Sequence, residues 1–339
     1  MLLAHIADVH IGVGRKWKED LTSESPFYLQ RHRMYLESIL DSLKKNPVDG
    51  IILAGDLLDS SKPTAKEYEL LAWWLYQLVE LGPVHIIAGN HEDIHGGLTS
   101  LHPAQAFMAG VENIFWHLDT AEIAQEKWGS TLWASHHQTS KIQEMLGQKP
   151  EYVVAHYAAK GSVYDSGLEA TKGWEIQYPG CKQVFIGDIH VRQSVAHNAH
   201  YCGSPCQLNF GESGSKGFDI YDTEAGKRSQ VILNGGIPLL TVRIKDAKPP
   251  EFNPKALYKV LASREYLDYK YPENVVTVQL LETKNTKETA EQLVNKGEID
   301  FGDPLGGIEK VLTRAKLIPS LIESAKETAK TIAIKYQGV

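Results

Sequence analysis

Five short apolar runs in this chain stop abruptly and hand over to side chains that can bind metal. Leu2–Ala7 is followed by Asp8 and His10, Ile51–Ala54 by Gly55 and Asp56, and Val84–Ala88 by Gly89, Asn90 and His91. Tyr152–Ala155 leads into His156, and Gln183–Ile186 into Gly187, Asp188 and His190. Singly, each is an ordinary feature. An Asp after a strand commonly accepts from nearby backbone N–H groups, and a single His is more often packed or solvated than a ligand. The weight lies in five recurrences, each at the end of an apolar run. Carboxylate, amide and imidazole donors without thiolates suit borderline-hard divalent ions such as Mn²⁺, Fe²⁺ or Zn²⁺. Asp8, His10, Asp56, Asn90, His156, Asp188 and His190 are too many ligands for one ion and about right for two. A carboxylate shared between two ions holds them roughly 3.5–4 Å apart, a spacing used for in-line displacement at phosphorus. His136 and His137 also follow a strand and are read as structural.

Such side chains converge only if the strands lie side by side. Phe27–Lys45 reads as a helix, with Tyr28, Met34, Leu36, Ile39, Leu40 and Leu43 near a 3.6-residue period, and Thr64–Glu80 as a second helix. Alternating strand and helix implies right-handed crossovers and a parallel sheet with helices on its faces. Ligands then gather outside the carboxyl ends of the strands. Ile114–Leu118 and Thr131–Ser135 read as further strands, and Ser194–His197, Phe218–Tyr221 and Gln230–Leu233 as an antiparallel edge. Near Gly235-Gly236 the character changes. Strands over Leu239–Ile244 and Val275–Leu281 and a helix over Thr286–Asn295 predict a small second domain. After Gly306-Gly307 a helical tail, interrupted by Pro319, aligns Ile322, Ala325, Ala329, Ile332 and Tyr336.

At 339 residues the chain can hold one large domain and one or two smaller parts. Hydrophobic content of 42% and charged content of 23% are those of a globular protein. There is no apolar run of about 18 residues, so no membrane span is expected. Met1–His5 lacks a basic segment, and Asp8 comes too early for a signal peptide. Cys181, Cys202 and Cys206 match neither a disulfide framework nor a zinc knuckle, which leads to the expectation of a reducing cytoplasm. A net charge of −7 shows no basic footprint for nucleic acid. Acidic metal ligands inflate that count, however, and bound cations reverse the local field. Composition is therefore neutral on substrate.

The motifs Asp8-Val9-His10, Gly55-Asp56-Leu57-Leu58-Asp59, Gly89-Asn90-His91-Glu92, His156 and Gly187-Asp188-Ile189-His190 resemble the five signatures of the calcineurin-like metallophosphoesterases. Asp59-Ser60-Ser61-Lys62-Pro63, Tyr201-Cys202-Gly203-Ser204-Pro205, Phe210-Gly211-Glu212 and Lys216-Gly217 narrow this to a resemblance to the nuclease subunit of SbcCD-type DNA repair complexes. Phages carry compact versions of that subunit. The match is strong over about 235 residues and extends to the tail only in layout.

The resemblance implies an α/β fold: a two-sheet sandwich flanked by helices (1–235), a small α+β capping domain (236–305) and a helical tail (306–339). It implies one metal held by Asp8, His10 and His190, a second by Asn90, His156 and Asp188, and Asp56 as the bridge. His91 would stabilise charge on the scissile phosphate or protonate the leaving oxygen, a role that suits an imidazole near neutral pH. Asp59, Ser60 and Ser61 would position substrate. The implied cofactors are two divalent ions, Mn²⁺ before Mg²⁺. The implied partners are DNA and an SMC-like ATPase of SbcC type, docked by the tail, with a homodimer inside a heterotetramer and no membrane. The implied location is the cytoplasm, that of the host for a phage protein.

Two positions depart from the family pattern. Asp188 stands where a second His is usual. Its hard oxygen favours Mn²⁺ or Mg²⁺, and a weakened second site is the other consequence open to it. Asp59 stands where archaeal and eukaryotic relatives carry a His. Two other readings stay in view: a phosphodiesterase for small phosphoesters or cyclic nucleotides, and a DNA-binding scaffold whose metal site has degenerated.

Overall fold

The computed structural model describes residues 1–15, 17, 26–94, 97–245 and 248–281. Two six-stranded sheets dominate. The first runs in the order Lys227–Ile232, Gly217–Asp222, Leu2–Ile6, Gly50–Ala54, Val84–Ile87, Ile114–Trp116. The second runs Gln193–Ala196, Ala199–Tyr201, Gln183–Gly187, Tyr152–His156, Gly129–Ala134, Glu122–Glu126. Parallel pairing dominates the interior of both sheets; antiparallel strands close both edges of the second and one edge of the first, whose other edge strand, Ile114–Trp116, pairs parallel. The expectation of a mixed α/β sandwich flanked by helices holds.

Strands buried on both faces need continuous apolar sequence. Gly50–Ala54, Tyr152–His156 and Gln183–Gly187 are buried at every position. Leu3, Ala7, Ile52, Ala54, Ile87, Trp133, Val154 and Phe185 fill the layer between the sheets. Helix α1 (Phe27–Lys45) and helix α2 (Ala65–Val79) cover the outer face of the first sheet. Leu36, Ile39, Leu43, Leu71, Trp74 and Leu78 pack there with Ile51 and Leu53. Met34, expected on the buried face of α1, is instead 42% exposed. It lies away from the arc occupied by Leu36, Ile39, Leu40 and Leu43. Helix α2 starts on a capping box, in which Thr64 Oγ1 accepts from Glu67 N and the Glu67 carboxylate from Thr64 N. Arg15 forks onto the same buried carboxylate at 2.8 and 2.6 Å, tying the loop after the first strand to the helix.

Pairing registers bring the strand ends level. Ile6 lies opposite Leu53, Ala54 opposite Ile87, and Gly187 opposite His156. Asp8, Asp56 and Asn90 therefore leave one edge of the first sheet, and His156 and Asp188 one edge of the second. No helix among the described residues is long and apolar enough to cross a membrane.

One compact unit takes in Met1–Val242, Pro250–Val260 and Lys270–Val278, while Arg243–Pro249 and Leu261–Tyr269 fall in another. Leu239–Ile244, Leu257–Ala262 and Val275–Leu280 form a three-stranded sheet in that order. The expected helix over Thr286–Asn295 and the tail over 306–339 lie outside the described residues.

Candidate metal centre

The loops leaving the strand ends are bent back by unusual backbone. Asp8, His10, Asp56 and Asp188 have φ of 56°, 50°, 52° and 103°. Left-handed backbone at non-glycine residues is unfavourable and collects at functional sites. Here it is held by cross-strand bonds. Asp8 N donates to Gly55 O at 3.1 Å and His10 N to Asp56 O at 2.9 Å, while Asp188 N donates to Asp8 Oδ1 at 2.9 Å. Two glycines allow the loops to close on each other. A Cβ at Gly89 would fall on the Asp56 carboxylate, and one at Gly187 on the Ala54 carbonyl oxygen.

These turns bring the seven expected ligands together. Asp8, His10 and His190 form one group of converging donor atoms, and Asp8, Asp56 and His156 another. Asp56 Oδ2 stands between them, 3.3 Å from His10 Nε2 and 3.4 Å from His156 Nε2. Asn90 Oδ1 is 3.0 Å and Asp188 Oδ1 3.8 Å from the same His156 nitrogen.

Each imidazole is tied from behind through Nδ1. His10 Nδ1 meets Asp59 Oδ1 at 3.2 Å, His156 Nδ1 meets Ala54 O at 2.8 Å, and His190 Nδ1 meets Glu212 Oε1 at 3.3 Å. An Nδ1–H donated to an outer oxygen leaves Nε2 as the ligand, the arrangement that fixes metal-binding histidines. The centre also leaves buried metal-ligating atoms without hydrogen-bond partners. Asp8 Oδ2 and His10 Nε2 have no hydrogen-bond partner although both are enclosed. Despite its 3.3 Å approach to Asp56, His10 Nε2 lacks the direction for a hydrogen bond. Lone pairs that share a focus without bonding one another fit a divalent cation.

Electrostatics agree. Burial alone would raise the Asp56 carboxyl, but His156, His10 and His91 outweigh it and hold it low. Burial would lower His156, and Asp56 with Asp8 and Asp188 instead lifts it well above the ordinary imidazole value. Three clustered carboxylates thus call for positive charge, from protons or from ions that displace them.

His91 sits at the rim, 40% exposed. Its backbone N–H donates to Asp56 Oδ1 at 3.0 Å, and its Nδ1 lies 3.1 Å from Asp59 O. Nε2 is then the nitrogen left for substrate. Asp59 contacts both His10 and His91. Ser60 Oγ accepts from Lys62 N at 3.1 Å within its own turn, and Ser61 is half-buried beside it. His136 bonds backbone, its N to Ala88 O and its Nδ1 to His156 O.

Glu92, Glu212, Lys216 and Asp165 take roles that the sequence alone does not assign. Fully buried Glu92 accepts from Asp56 N at 3.1 Å, Leu58 N at 2.8 Å and Gly89 N at 2.7 Å, joining two ligand loops. Burial and the Asp56 charge raise its pKa. Glu212 is neutralised by Lys216 at 2.6 Å. Both glutamates stood inside recognised motifs, whereas Asp165 carried no signal.

A further His-rich group, His85, His117 and Glu126, is built differently. The two rings are nearly coplanar (4°), with centroids 5.5 Å apart and His85 Nδ1 3.2 Å from His117 Nε2. Those values put both nitrogens on the line between the rings, aimed at each other. This is an N–H···N bond stacked on Trp133, with no room for an ion between them.

Residues 1–192 match the family model described as calcineurin-like phosphoesterase. The chain is 21% identical to the SbcD subunit of the nuclease SbcCD from Escherichia coli (strain K12), over 96% of this chain and 95% of that protein. It is 23% identical to the corresponding SbcCD subunit of Bacillus subtilis (strain 168), over 71% of each. A shorter stretch, 27% of this chain and 19% of the relative, is 31% identical to the DNA double-strand break repair protein Mre11 of Methanopyrus kandleri. The matched region contains every loop that supplies a donor atom to the centre, and the chain belongs to the calcineurin-like phosphoesterase family, a metal-dependent hydrolase of SbcD type.

Proposed function

We propose that the chain is a Mn²⁺-dependent DNA nuclease subunit that hydrolyses phosphodiester bonds by a two-metal mechanism. The observation that carries this reading is the position of Asp56 Oδ2, shared between His10 and His156 at 3.3 and 3.4 Å. Asp8, His10 and His190 would hold one ion, Asn90, His156 and Asp188 the other, and Asp56 both. When bound, such a pair supplies an activated water and neutralises charge on the phosphate. Asp59 holds His10 by its side chain and His91 by its carbonyl. His91 Nε2 protonates the leaving oxygen. A donor set rich in Asp oxygen, with Asp188 in place of an imidazole, supports Mn²⁺ over softer ions.

DNA as substrate is supported by the relatives, which are named as a nuclease and as a break-repair protein. The names of the SbcCD relatives support a partner of SbcC type, which this reading takes to be the ATPase subunit. The 1–235, 236–305 and 306–339 divisions, the dimer within a heterotetramer and the docking role of the tail belong to this proposal. So does a substrate-positioning role for Asp59, Ser60 and Ser61.

The test is hydrolysis of linear DNA by the purified chain with Mn²⁺, beside His91→Ala and Asp56→Ala. Wild type is expected to degrade DNA. His91→Ala should retain its metal and lose about 10²–10⁴ in rate, the usual contribution of a positioned general acid. Asp56→Ala should lose both rate and metal. Hydrolysis of a small phosphodiester alone, even with the ATPase partner added, would favour a small-substrate phosphodiesterase. Inactivity on either substrate would favour the scaffold reading.

A further inference from the structure

Between the His156 and Asp188 strand ends, the chain makes an excursion that supplies none of the seven expected ligands. Residues 158–174 fold back on themselves as a pinned hairpin-like loop. Trp174 N donates to Ala158 O at 2.8 Å and Lys160 N to Trp174 O at 2.9 Å. Further out, Ala170 N donates to Ser162 O at 2.8 Å and Tyr164 N to Leu168 O at 2.9 Å. Gly167 N closes a tight turn onto Tyr164 O at 2.8 Å. The Gln193 side chain clamps Val163 from outside, accepting from its N at 2.9 Å and donating to its O at 2.8 Å.

The tip has two sides. Asp165 is turned inward, 3.8 Å from His190 Nδ1 and 3.9 Å from Lys216 Nζ, with 14% exposure. Tyr164 and Leu168 are instead 41% and 69% exposed. Val163 and Glu169 form an antiparallel bridge, so Tyr164 and Leu168 are the next cross-strand pair and share a face. Tyr164 directly precedes Asp165, whose carboxylate lies 3.8 Å from His190 Nδ1, so the tip of the loop borders the metal centre.

We propose that Tyr164 and Leu168 form a stacking platform for the base of a nucleotide next to the scissile phosphate. This rests on the DNA reading above and narrows it. A base inside a duplex can stack on protein only by leaving its helical stack, so the platform selects single strands and duplex ends over the interior of a duplex. Every base has an apolar face, so the contact is indifferent to sequence. A protein partner fits less well. Stable interfaces bury about 800 Å² per partner, whereas this face presents one Tyr and one Leu; Val163, also exposed, alternates to the other face, and exposed Trp174 lies at the base of the loop.

The experiment measures kcat/KM for single-stranded DNA and for bis(p-nitrophenyl) phosphate with Mn²⁺, using wild type, Tyr164→Ala and Tyr164→Phe. Stacking on one aromatic ring predicts that the ratio of the DNA value to the small-substrate value falls about tenfold in Tyr164→Ala. The change should lie in KM for DNA, and Tyr164→Phe should restore the ratio. An unchanged ratio in Tyr164→Ala overturns the platform, as does an equal fall on both substrates, which marks a structural role. Failure of wild type to cleave DNA while it cleaves the small ester overturns the substrate reading, and the platform with it.

Discussion

Glu92→Gln is expected to destabilise the fold by about 2–5 kcal/mol and to weaken divalent binding sharply. The Glu92 carboxylate accepts from three buried backbone N–H groups, on Asp56, Leu58 and Gly89. A Gln side chain has one acceptor oxygen. Its amide must face either Leu58 N–H or the pair from Asp56 and Gly89, donor against donor. Each orphaned buried donor costs about 1–3 kcal/mol. The loss falls on the segments that carry Asp56 and Asn90, so stability and metal affinity should drop together. Urea denaturation of the metal-free protein and Mn²⁺ titration at neutral pH measure the two effects. A Glu92→Gln chain that unfolds like wild type, or that keeps full Mn²⁺ affinity, would contradict this role.

His5→Leu should make the fold less sensitive to acid. His5 is fully buried on the first strand, edge-on to Phe185 with 5.2 Å between centroids, and neither ring nitrogen has a hydrogen-bond partner. Burial first, then the Arg228 and His200 charges, lowers its pKa from 6.5 to about 3. The folded value lies below the unfolded one. Stability from a neutral His5 is therefore complete above pH 6.5 and is lost as pH falls from there toward 3. In that window the unfolded chain binds one more proton, worth about 1.4 kcal/mol per pH unit. Burial lowers His32 and His85 to about 3 as well. Taking the difference between His5→Leu and wild type cancels their contribution and that of the metal ligands. Its advantage should widen at about 1.4 kcal/mol per pH unit between pH 6 and 4, read from metal-free denaturation curves. A constant offset would show that His5 does not stay neutral in the fold.

Legibility in the sequence followed the physics of each element. The five site-bearing strands were readable because buried parallel strands are continuous apolar runs that end in polar chemistry. The bounds of α1 were readable from its period. Glu122–Glu126 was missed because an edge strand reading Glu-Ile-Ala-Gln-Glu carries little apolar signal. Ala199–Tyr201 is too short for a pattern. Leu257–Ala262 follows Lys248-Pro249-Pro250, whose two prolines read as loop and mask the strand behind them. The left-handed backbone at Asp8, His10, Asp56 and Asp188 follows from contacts between loops far apart in sequence. The same is true of the outer hold on His190, since Glu212 reaches it from 22 residues away. A motif names ligands, but only the fold shows what fixes them.

The most direct test of a centre organised around Asp56 is the number of Mn²⁺ ions bound by the metal-free chain, from calorimetric titration with elemental analysis of the loaded protein. Two ions per chain are predicted for wild type, and fewer than two, bound more weakly, for Asp56→Ala. One ion or none in wild type, or two held equally tightly by Asp56→Ala, would contradict the account.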